Sequence, residues 1–264
     1  MCNSKSNILQ TDAMVITNSE VMPGVYLMWL NCPTIAATVR AGQFIMASCG
    51  EAHLLRRPIS IHRVCADRLN IALLYAVVGG GTQWLARSKS GQFINLLGPL
   101  GNGFSIDEKG DNLLLIGGGM GIAPLAFLAD EACRMGKNTT LLVGSGSKDM
   151  LCPNHLINDK VDYRTVTEDG SCGSKGFVTH RLAEFAPQAK QVFTCGPAPM
   201  YRALASEPLL RDKEVQVSLE TRMACGFGSC YGCTVKTKKG LKQVCYHGPV
   251  FDIKDILWDE LGEV

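Results

Sequence analysis

The alternation of hydrophobic and polar positions changes character along the chain, and its first part is typical of a β protein. Up to about residue 108, short β-rich runs such as 25–30 and 69–78 are bounded by Gly, Pro, Asn or Asp. A helical stretch follows Thr82, and no other helical period is sustained in this part. Several short strands separated by turn residues predict a small β barrel.

From about residue 109 to 213 the pattern alternates between strand and helix. A continuous apolar run at 113–116 is typical of a parallel strand buried on both faces, and a helical stretch follows from Leu125 to about Met135. Further strands are predicted at 139–143, near 163–166 and at 191–194. This order predicts a doubly wound α/β domain, in which ligands bind beyond the carboxyl ends of the strands.

The last part of the chain is short and contains no long helix pattern. The runs 234–237 and 243–244 flank a Lys-Lys-Gly turn, which predicts a hairpin. Because about 50 residues form a weak core, we expect a bound metal to help hold this segment together. The predicted fold class is a β barrel plus α/β, with domains at 1–108, 109–213 and 214–264.

Composition and charge exclude several classes of function. The formal net charge of +2 gives no basic field for nucleic acid. No apolar run approaches the roughly 18 residues of a membrane span, and residues 1–6 lack the apolar core of a signal peptide. Twelve cysteines without an export signal indicate a reducing, cytoplasmic location.

Four cysteines near the C-terminus carry the strongest chemical signal. Their spacing is C-x4-C-x2-C-x11-C, and three glycines lie between the first three of them. This order is the plant-type spacing of a [2Fe–2S] cluster, which passes one electron at a time. The predicted ligands are Cys225, Cys230, Cys233 and Cys245.

Zinc and a disulfide pair remain as alternatives for these cysteines. Structural zinc sites usually show two short cysteine pairs separated by a longer stretch, whereas this chain has a three-cysteine loop and one distant cysteine. The other eight cysteines show no ligand spacing, and most of them are predicted to be small buried apolar residues.

Two loops of the α/β part are candidates for nucleotide binding. The first follows the apolar run 113–116 and precedes a helix, where backbone and helix N-terminus can approach a pyrophosphate. Its spacing is not G-x-G-x-x-G, so a tight turn without a ligand is the alternative. Its candidate residues are Gly117, Gly118, Gly119 and Gly121. The second loop ends a predicted strand and contains Cys195, Gly196 and Pro197. Cys195 is either close to a nicotinamide or a buried thiol in a turn.

The barrel part offers weaker motifs. Arg57-Pro58-Ile59-Ser60 places a guanidinium and a hydroxyl on opposite sides of a strand, which suits a phosphate and a flavin ring. A structural Arg-Pro at a strand start is the alternative. The run 79–82 supplies further backbone donors for an anion. The five histidines have no metal-ligand spacing and there is no G-x-S-x-G elbow, so no hydrolytic site is predicted.

Together these stretches resemble the ferredoxin-reductase superfamily. Residues 57–60 resemble its flavin signature, 98–104 its barrel exit, 117–124 its pyridine-nucleotide loop and 194–200 its nicotinamide-side loop. With the cysteine motif added, the chain resembles the family of electron-transfer subunits of dihydroorotate dehydrogenase B. The resemblance implies a flavin barrel, a nucleotide-binding domain and a [2Fe–2S] domain.

The resemblance also implies cofactors and a partner. FAD contacts are expected at Arg57, Pro58, Ile59, Ser60, Leu74, Tyr75, Ala76, Gly81 and Thr82, and cluster contacts at the four cysteines. An FMN-containing catalytic subunit would oxidise dihydroorotate to orotate in pyrimidine biosynthesis, in a heterotetramer of two of each subunit. Electrons would pass through the cluster and FAD to NAD⁺. No catalytic acid or base is then expected in this chain.

Two other functions stay open at this point. One is a related FAD and [2Fe–2S] subunit of a sulfide- or hydrogen-linked NAD(P) oxidoreductase complex. The other is a zinc-stabilised nucleotide-binding module without redox activity. The preference for NAD or NADP also stays open, because Lys148 and Asp149 offer a cation and an acid after the second α/β strand.

Overall fold

The computed structural model describes residues 8–261. The segment 1–6, examined above for a signal peptide, lies outside the described residues. Within 8–261, no helix is both long enough and apolar enough to cross a membrane.

The first part of the chain is a closed six-stranded barrel with the strand order β1-β2-β5-β4-β3-β6. Its elements are β1 Leu9–Met22, β2 Val25–Asn31, α1 Pro33–Ala36, β3 Phe44–Ala47, β4 Arg57–Val64, β5 Asn70–Ala76, α2 Gly80–Ala86 and β6 Phe93–Leu100. Apolar side chains such as Met28, Ile45, Ile61 and Leu73 are fully buried in its core. The predicted barrel and the short helix after its fifth strand are both present.

The second part is a parallel sheet with helices packed on it. Its elements are β7 Asn112–Gly118, α3 Ile122–Arg134, β8 Asn138–Ser145, β9 Asp162–Thr167, β10 Ser174–Lys175, α4 Leu182–Phe185, β11 Gln191–Cys195, α5 Ala198–Ala205 and β12 Glu214–Ser218. The sheet order is β10-β9-β8-β7-β11-β12, with one further strand at the β12 edge. The strands that follow β7 in the chain are added first on one side of it (β8 to β10) and then on the other (β11 and β12), which places a topological switch point beside the predicted glycine loop.

The C-terminal segment is joined to this sheet and is not a separate layer. Its elements are β13 Thr234–Thr237, β14 Gly240–Gln243, α6 Val244–His247 and β15 Val250–Asp252. β13 and β14 form the predicted hairpin, whereas β15 pairs antiparallel with β12 and extends the sheet to seven strands. Cys233, Val235 and Cys245 lie in the same hydrophobic cluster as Val215 and Val217. The segment therefore shares a core with the α/β part.

Helix α3 connects the barrel to the sheet. A ring nitrogen of His62 on β4, Nδ1, lies 3.0 Å from the carbonyl oxygen of Ala123. Arg63 forms an ion pair with Asp130 at 3.0 Å, and the Glu131 carboxylate accepts a hydrogen bond from the backbone N–H of Ala41. Because the glycine loop leads directly into α3, these contacts fix that loop relative to the barrel.

Candidate redox and nucleotide site

The loop that carries the first three cysteines packs directly on the barrel. Gly226 has φ +80°, and a Cβ at this position would lie 2.5 Å from Cγ of Met46 and 3.3 Å from Cδ1 of Leu100. Met46 is on β3 and Leu100 ends β6. Glycine is required here both for the left-handed backbone and for the close approach. The predicted cluster ligands thus lie beside the wall of the barrel.

The four thiols receive backbone hydrogen bonds. The N–H of Ser229 donates to Cys225 Sγ at 3.3 Å, and the N–H of Gly232 donates to Cys230 Sγ at 3.5 Å. The Sγ atoms of Cys233 and Cys245 lie 3.1 Å apart, and the N–H of Cys245 donates to Cys233 Sγ at 3.4 Å. Hydrogen bonds of this kind stabilise thiolates, the form that binds iron.

Two of these thiols differ strongly in acidity. Burial raises the pKa of Cys225, but hydrogen bonds from the backbone of Phe227, Cys230 and Ser229 outweigh burial and lower it to about 6. Burial and the adjacent Cys233 thiol raise the pKa of Cys245 to about 12. Because iron binds thiolate, loading a cluster must release the proton of Cys245.

The contacts of the four cysteines bear on the choice between an iron–sulfur cluster and the alternatives, a zinc site or a disulfide pair. The Cys233 and Cys245 sulfur atoms are farther apart than the roughly 2.05 Å of a disulfide, and all described cysteines are free. Among residues 8–261, no group of three or more His, Cys, Asp or Glu side chains is arranged to hold a metal ion, so the assignment of the four cysteines rests on their spacing and on the contacts given above. A set of four thiols with N–H donors in a glycine-rich loop fits an iron–sulfur cluster.

Of the other seven described cysteines, four are buried, as predicted for small apolar residues: Cys32, Cys49, Cys152 and Cys195. Cys65, Cys133 and Cys172 are partly exposed. The remaining one, Cys2, lies outside the described residues.

The two weak barrel motifs meet in space. A Cβ on Gly81 would lie 2.6 Å from Nε of Arg57, so the guanidinium rests directly on the backbone at the start of α2. The preceding residue, Gly80, is covered in the same way by the imidazole ring of His53, because a Cβ on Gly80 would lie 2.8 Å from Cε1 of His53. His53 was not among the predicted site residues. Two side chains able to carry positive charge therefore cover consecutive glycines, an arrangement suited to a phosphate.

The other predicted flavin contacts differ in accessibility. Arg57 pairs with Ala47 and Ser60 with Phe44 in an unbroken register, so Arg57 and Ser60 face opposite sides of β4. Both are half-buried, as are Pro58 and Ala76. Three others are buried in the barrel: Ile59, Leu74 and Tyr75.

Thr82 and Tyr75 hold α2 against the barrel. The hydroxyl of Thr82 accepts hydrogen bonds from the N–H groups of Val78 and Gly79 at 2.9 and 3.2 Å. The hydroxyl of Tyr75 donates to Asn18, whose amide in turn donates to the carbonyl oxygen of Leu85. These two side chains thus position the glycine run 79–81.

The structure brings the two predicted nucleotide loops together. Gly117 and Cys195 are partners in the β7–β11 register. A Cβ on Gly121 would lie 1.8 Å from the carbonyl oxygen of Cys195, and one on Gly118 would lie 2.7 Å from Cδ of Pro197. Glycine at these positions permits the contact between the loops, a role that their spacing in sequence does not reveal.

Cys195 itself is almost completely buried. Burial, with the nearby Glu220 carboxylate adding, raises the pKa of its thiol, which therefore stays protonated. The hydroxyl of Tyr201 accepts from the N–H of Gly196 at 2.8 Å and donates to the carbonyl oxygen of Ser218 at 2.6 Å. This network fixes the loop after β11 at the edge of a large cavity.

The cavity has a volume of about 1170 Å³ and follows the carboxyl ends of the sheet strands. The residues of the two predicted loops that line it are Gly118, Gly119, Gly121, Gly196 and Pro197. It reaches the barrel at Val25, the strand partner of Ala76. Among the lining residues that were not predicted are Glu168, Phe177 and Glu220. Glu168 comes directly after β9 and Glu220 is the second residue after β12, and this closeness to strand ends was the available signal.

Comparison with known proteins was consistent with this site. The family model for the iron-sulfur cluster binding domain of dihydroorotate dehydrogenase B matches residues 220–257. The electron transfer subunit of dihydroorotate dehydrogenase B (NAD(+)) from Desulforamulus reducens is 37% identical, over 94% of this chain and 98% of that protein. The subunit of the same name from Bacillus cereus is 34% identical, over 95% of this chain and 100% of its own.

The chain belongs to this family. The resemblance deduced from the sequence is thereby confirmed. Among solved structures, the NADH-dependent reduced ferredoxin-NADP oxidoreductase is 28% identical with a TM-score of 0.86, over 94% of this chain and 91% of that one. A ferredoxin reductase of carbazole 1,9a-dioxygenase, 21% identical with a TM-score of 0.65 over 74% and 64%, shares the fold. The predicted fold class is confirmed as well.

The range that the family model matches links the cysteines to the nucleotide cavity. It contains all four predicted cluster ligands, and it begins at Glu220, which lines the nucleotide cavity. Only four residues separate Glu220 from Cys225. The cavity and the cysteine loop are therefore adjacent along the chain.

Proposed function

We propose that this chain takes electrons from an FMN-containing partner subunit and passes them to NAD⁺, as the partner oxidises dihydroorotate to orotate. The electrons enter at a [2Fe–2S] cluster held by Cys225, Cys230, Cys233 and Cys245, and continue to FAD in the barrel. FAD can exchange single electrons with the cluster and deliver a hydride to NAD⁺, which the cluster alone cannot do.

The observation that carries this proposal is the contact of Gly226 with Met46 and Leu100, which sets the cysteine loop against the barrel. The nucleotide cavity reaches the same barrel at Val25. A flavin bound to the barrel would thus lie between the one-electron and the two-electron carriers.

The residues of the chain have binding and positioning tasks in this proposal. Arg57 binds the FAD diphosphate, and Ser60, on the other side of β4, faces the flavin ring. The N–H groups of 117–121 at the start of α3 bind the NAD pyrophosphate, where the helix dipole favours negative charge. Cys195 lies on the nicotinamide side of the cavity. The proton chemistry on dihydroorotate is left to the partner.

The partner is proposed to dock on the cysteine loop. Cys230 is exposed, and the side chains of Phe227 and Tyr231 beside it are 44% and 70% exposed. Exposed aromatic side chains are typical anchors of protein interfaces. Docking here would place the partner's FMN next to the cluster, in an assembly of two subunits of each kind.

A cytoplasmic location is also proposed. Eleven described cysteines are free, which suits a reducing compartment. Thiols kept reduced remain available to bind iron.

The test is coexpression with an FMN-containing dihydroorotate dehydrogenase subunit and purification through a tag on this chain. The proposal expects copurification, flavin absorption, a [2Fe–2S] EPR signal after reduction, and NADH formation when dihydroorotate and NAD⁺ are added. A complex that forms NADH from sulfide or hydrogen and not from dihydroorotate would contradict it. A colourless protein would contradict any redox function.

A further inference from the structure

The charges in the nucleotide cavity are all negative. Among the described residues that line it there is no Lys, Arg or His, and its charged side chains are Glu168 and Glu220. Phosphates in this cavity are therefore bound by backbone N–H and hydroxyl groups, and an additional phosphate would meet a carboxylate instead of a cation. The positions of the two carboxylates decide which part of a nucleotide each one meets.

The two carboxylates lie at opposite ends of the cavity. Glu168 follows β9 and Glu220 follows β12 closely, and three strands, β8, β7 and β11, lie between these two in the sheet. Four strand spacings of about 4.8 Å separate them by roughly 19 Å along the strand ends. The glycine loop after β7 lies midway. A dinucleotide with its pyrophosphate at this loop would extend one arm towards each carboxylate.

The end at Glu220 faces the redox centres. On the far side of β12, the backbone N–H of Asn102, in the segment that leaves the barrel, donates a hydrogen bond to the carbonyl oxygen of Gly248 at 2.6 Å. In the chain, Glu220 is followed by the cysteine loop, which packs on the barrel strands β3 and β6. Given the proposed function, on which this step rests, the nicotinamide must reach the flavin and so occupies the β11–β12 end. The adenosine arm then extends to β8 and β9, where Glu168 lies.

Glu168 is held at this position by its backbone. Thr167 and Ser145 are partners in the β8–β9 register, and the N–H of Glu168 donates to the carbonyl oxygen of Ser145 at 3.0 Å. Its side chain is exposed and has no hydrogen bond or ion pair within the described part of the chain. The exposed ring of Phe177 lines the same end of the cavity and offers a surface for an adenine.

We propose that Glu168 selects NAD over NADP. Its free carboxylate accepts hydrogen bonds from the hydroxyl groups of the adenosine ribose, and its charge repels a phosphate on the 2′ oxygen. A carboxylate that binds the ribose 2′-hydroxyl is a general solution for NAD at a strand end of a doubly wound sheet.

The cations near Glu168 in sequence do not offset this charge. Arg164 forms an ion pair with Asp162 at 2.7 Å. The guanidinium of Arg181 is engaged by Ser174 and Glu184. The aliphatic part of Lys175 packs on Gly170. Lys148 follows β8, but it is not among the residues that line the cavity. A bend of the Lys148 side chain towards the cavity would let it bind a 2′-phosphate, so it belongs in the test.

The test uses the FAD-loaded protein and two fragments of the coenzyme, 5′-AMP and adenosine 2′,5′-bisphosphate, with binding measured by calorimetry. The wild type is expected to prefer 5′-AMP, and Glu168→Gln should reduce that preference about tenfold, the size of one charge contact. Glu108→Gln, which alters an exposed carboxylate away from the cavity, should leave it unchanged. The ratio of kcat/KM for NADH and NADPH with a dye as electron acceptor should follow the binding ratio.

An unchanged preference in Glu168→Gln would overturn the inference, as would a wild type that binds both fragments equally. A preference that shifts in Lys148→Ala and not in Glu168→Gln would assign selection to Lys148 instead. Failure of the proposed function looks different, because neither NADH nor NADPH would then reduce the bound flavin. If NADH reduces the flavin and only the selectivity result fails, the proposed function stands and the role of Glu168 is rejected.

Discussion

Gly226 of the cysteine loop lies so close to Met46 of the barrel that any side chain at position 226 would collide with it. A Cβ on Gly226 would be 2.5 Å from Met46 Cγ, well inside van der Waals contact. The loop that carries Cys225 and Cys230 is thereby held on the barrel strands β3 and β6. We propose that this contact sets the distance between a cluster held by the loop and a flavin bound to the barrel.

Replacing Gly226 with alanine is expected to move the loop away from the barrel. The collision and the positive φ should together destabilise the protein by roughly 1–3 kcal/mol and slow electron transfer between cluster and flavin. Gly240→Ala is the matched control, because Gly240 has φ +90° but nothing within 4 Å of an added Cβ. Stopped-flow spectroscopy of flavin and cluster reduction measures the effect. Equal transfer rates in the two variants would show that the contact does not set the distance.

Replacing Arg57 with glutamine is expected to weaken FAD binding about 10- to 100-fold, because a guanidinium–diphosphate contact is charge-assisted and bidentate. His53→Gln should weaken it by less, since His53 covers only the adjacent Gly80. The dissociation constant can be measured by the recovery of flavin fluorescence on dilution. Arg87→Gln, at the other end of α2, serves as the control. If Arg57→Gln binds FAD as tightly as the wild type, Arg57 does not bind the diphosphate.

His62 is expected to make the protein sensitive to acid. Burial, with the charge of Arg63 adding, lowers the pKa of His62 from 6.5 to about 4. Between these two pKa values the unfolded chain binds more protons than the folded chain. The contribution of neutral His62 to the free energy of unfolding is therefore complete above pH 6.5 and is lost as the pH falls towards 4. The free energy of unfolding should fall by about 2 kcal/mol between pH 7 and 5 from this group alone.

The variant His62→Asn isolates this contribution, because its amide can still donate to the Ala123 carbonyl but does not titrate. Its free energy of unfolding, measured by denaturant at pH 7 and 5, should fall less than that of the wild type over the same interval. An identical decrease in both proteins would assign the acid sensitivity to other groups.

Removing the exposed aromatic side chains beside Cys230 is expected to weaken partner binding. Phe227→Ala and Tyr231→Ala should each raise the dissociation constant about tenfold, as for aromatic anchors at other interfaces. Phe93→Ala removes a ring that is 63% exposed on the barrel and serves as the control. Surface plasmon resonance with the FMN subunit measures the change. A larger loss in Phe93→Ala would place the interface on the barrel.

Many of the longer elements of this fold could be predicted from local patterns, because a strand or helix of several residues leaves its own period in the sequence. The apolar run 113–116 is the centre of β7, and the predicted hairpin is β13 and β14. The pairing of the three-residue β15 with β12 could not be predicted, since so short a strand has no sustained period and its partner is distant in sequence.

The site was predictable to the extent that its chemistry is concentrated in motifs. The cysteine spacing and the glycine loop are such motifs. His53 and Glu168 belong to no motif, and their importance depends on tertiary contacts with Gly80 and Ser145 that only the folded chain shows. Arg57 belongs to the motif 57–60, but its contact with Gly81, which lies in another element, is also visible only in the folded chain.

The most direct test of the relay is a complex with the FMN subunit in which Cys230 is replaced by serine. Cys230 is exposed, so the substitution leaves the core intact, and Cys172→Ser controls for loss of a cysteine elsewhere. With dihydroorotate in a stopped-flow mixer, FAD should become reduced in the wild type and in Cys172→Ser but not in Cys230→Ser, whereas NADH should reduce FAD in all three. FAD reduction by dihydroorotate at the wild-type rate in a Cys230→Ser complex without a cluster EPR signal would contradict the account.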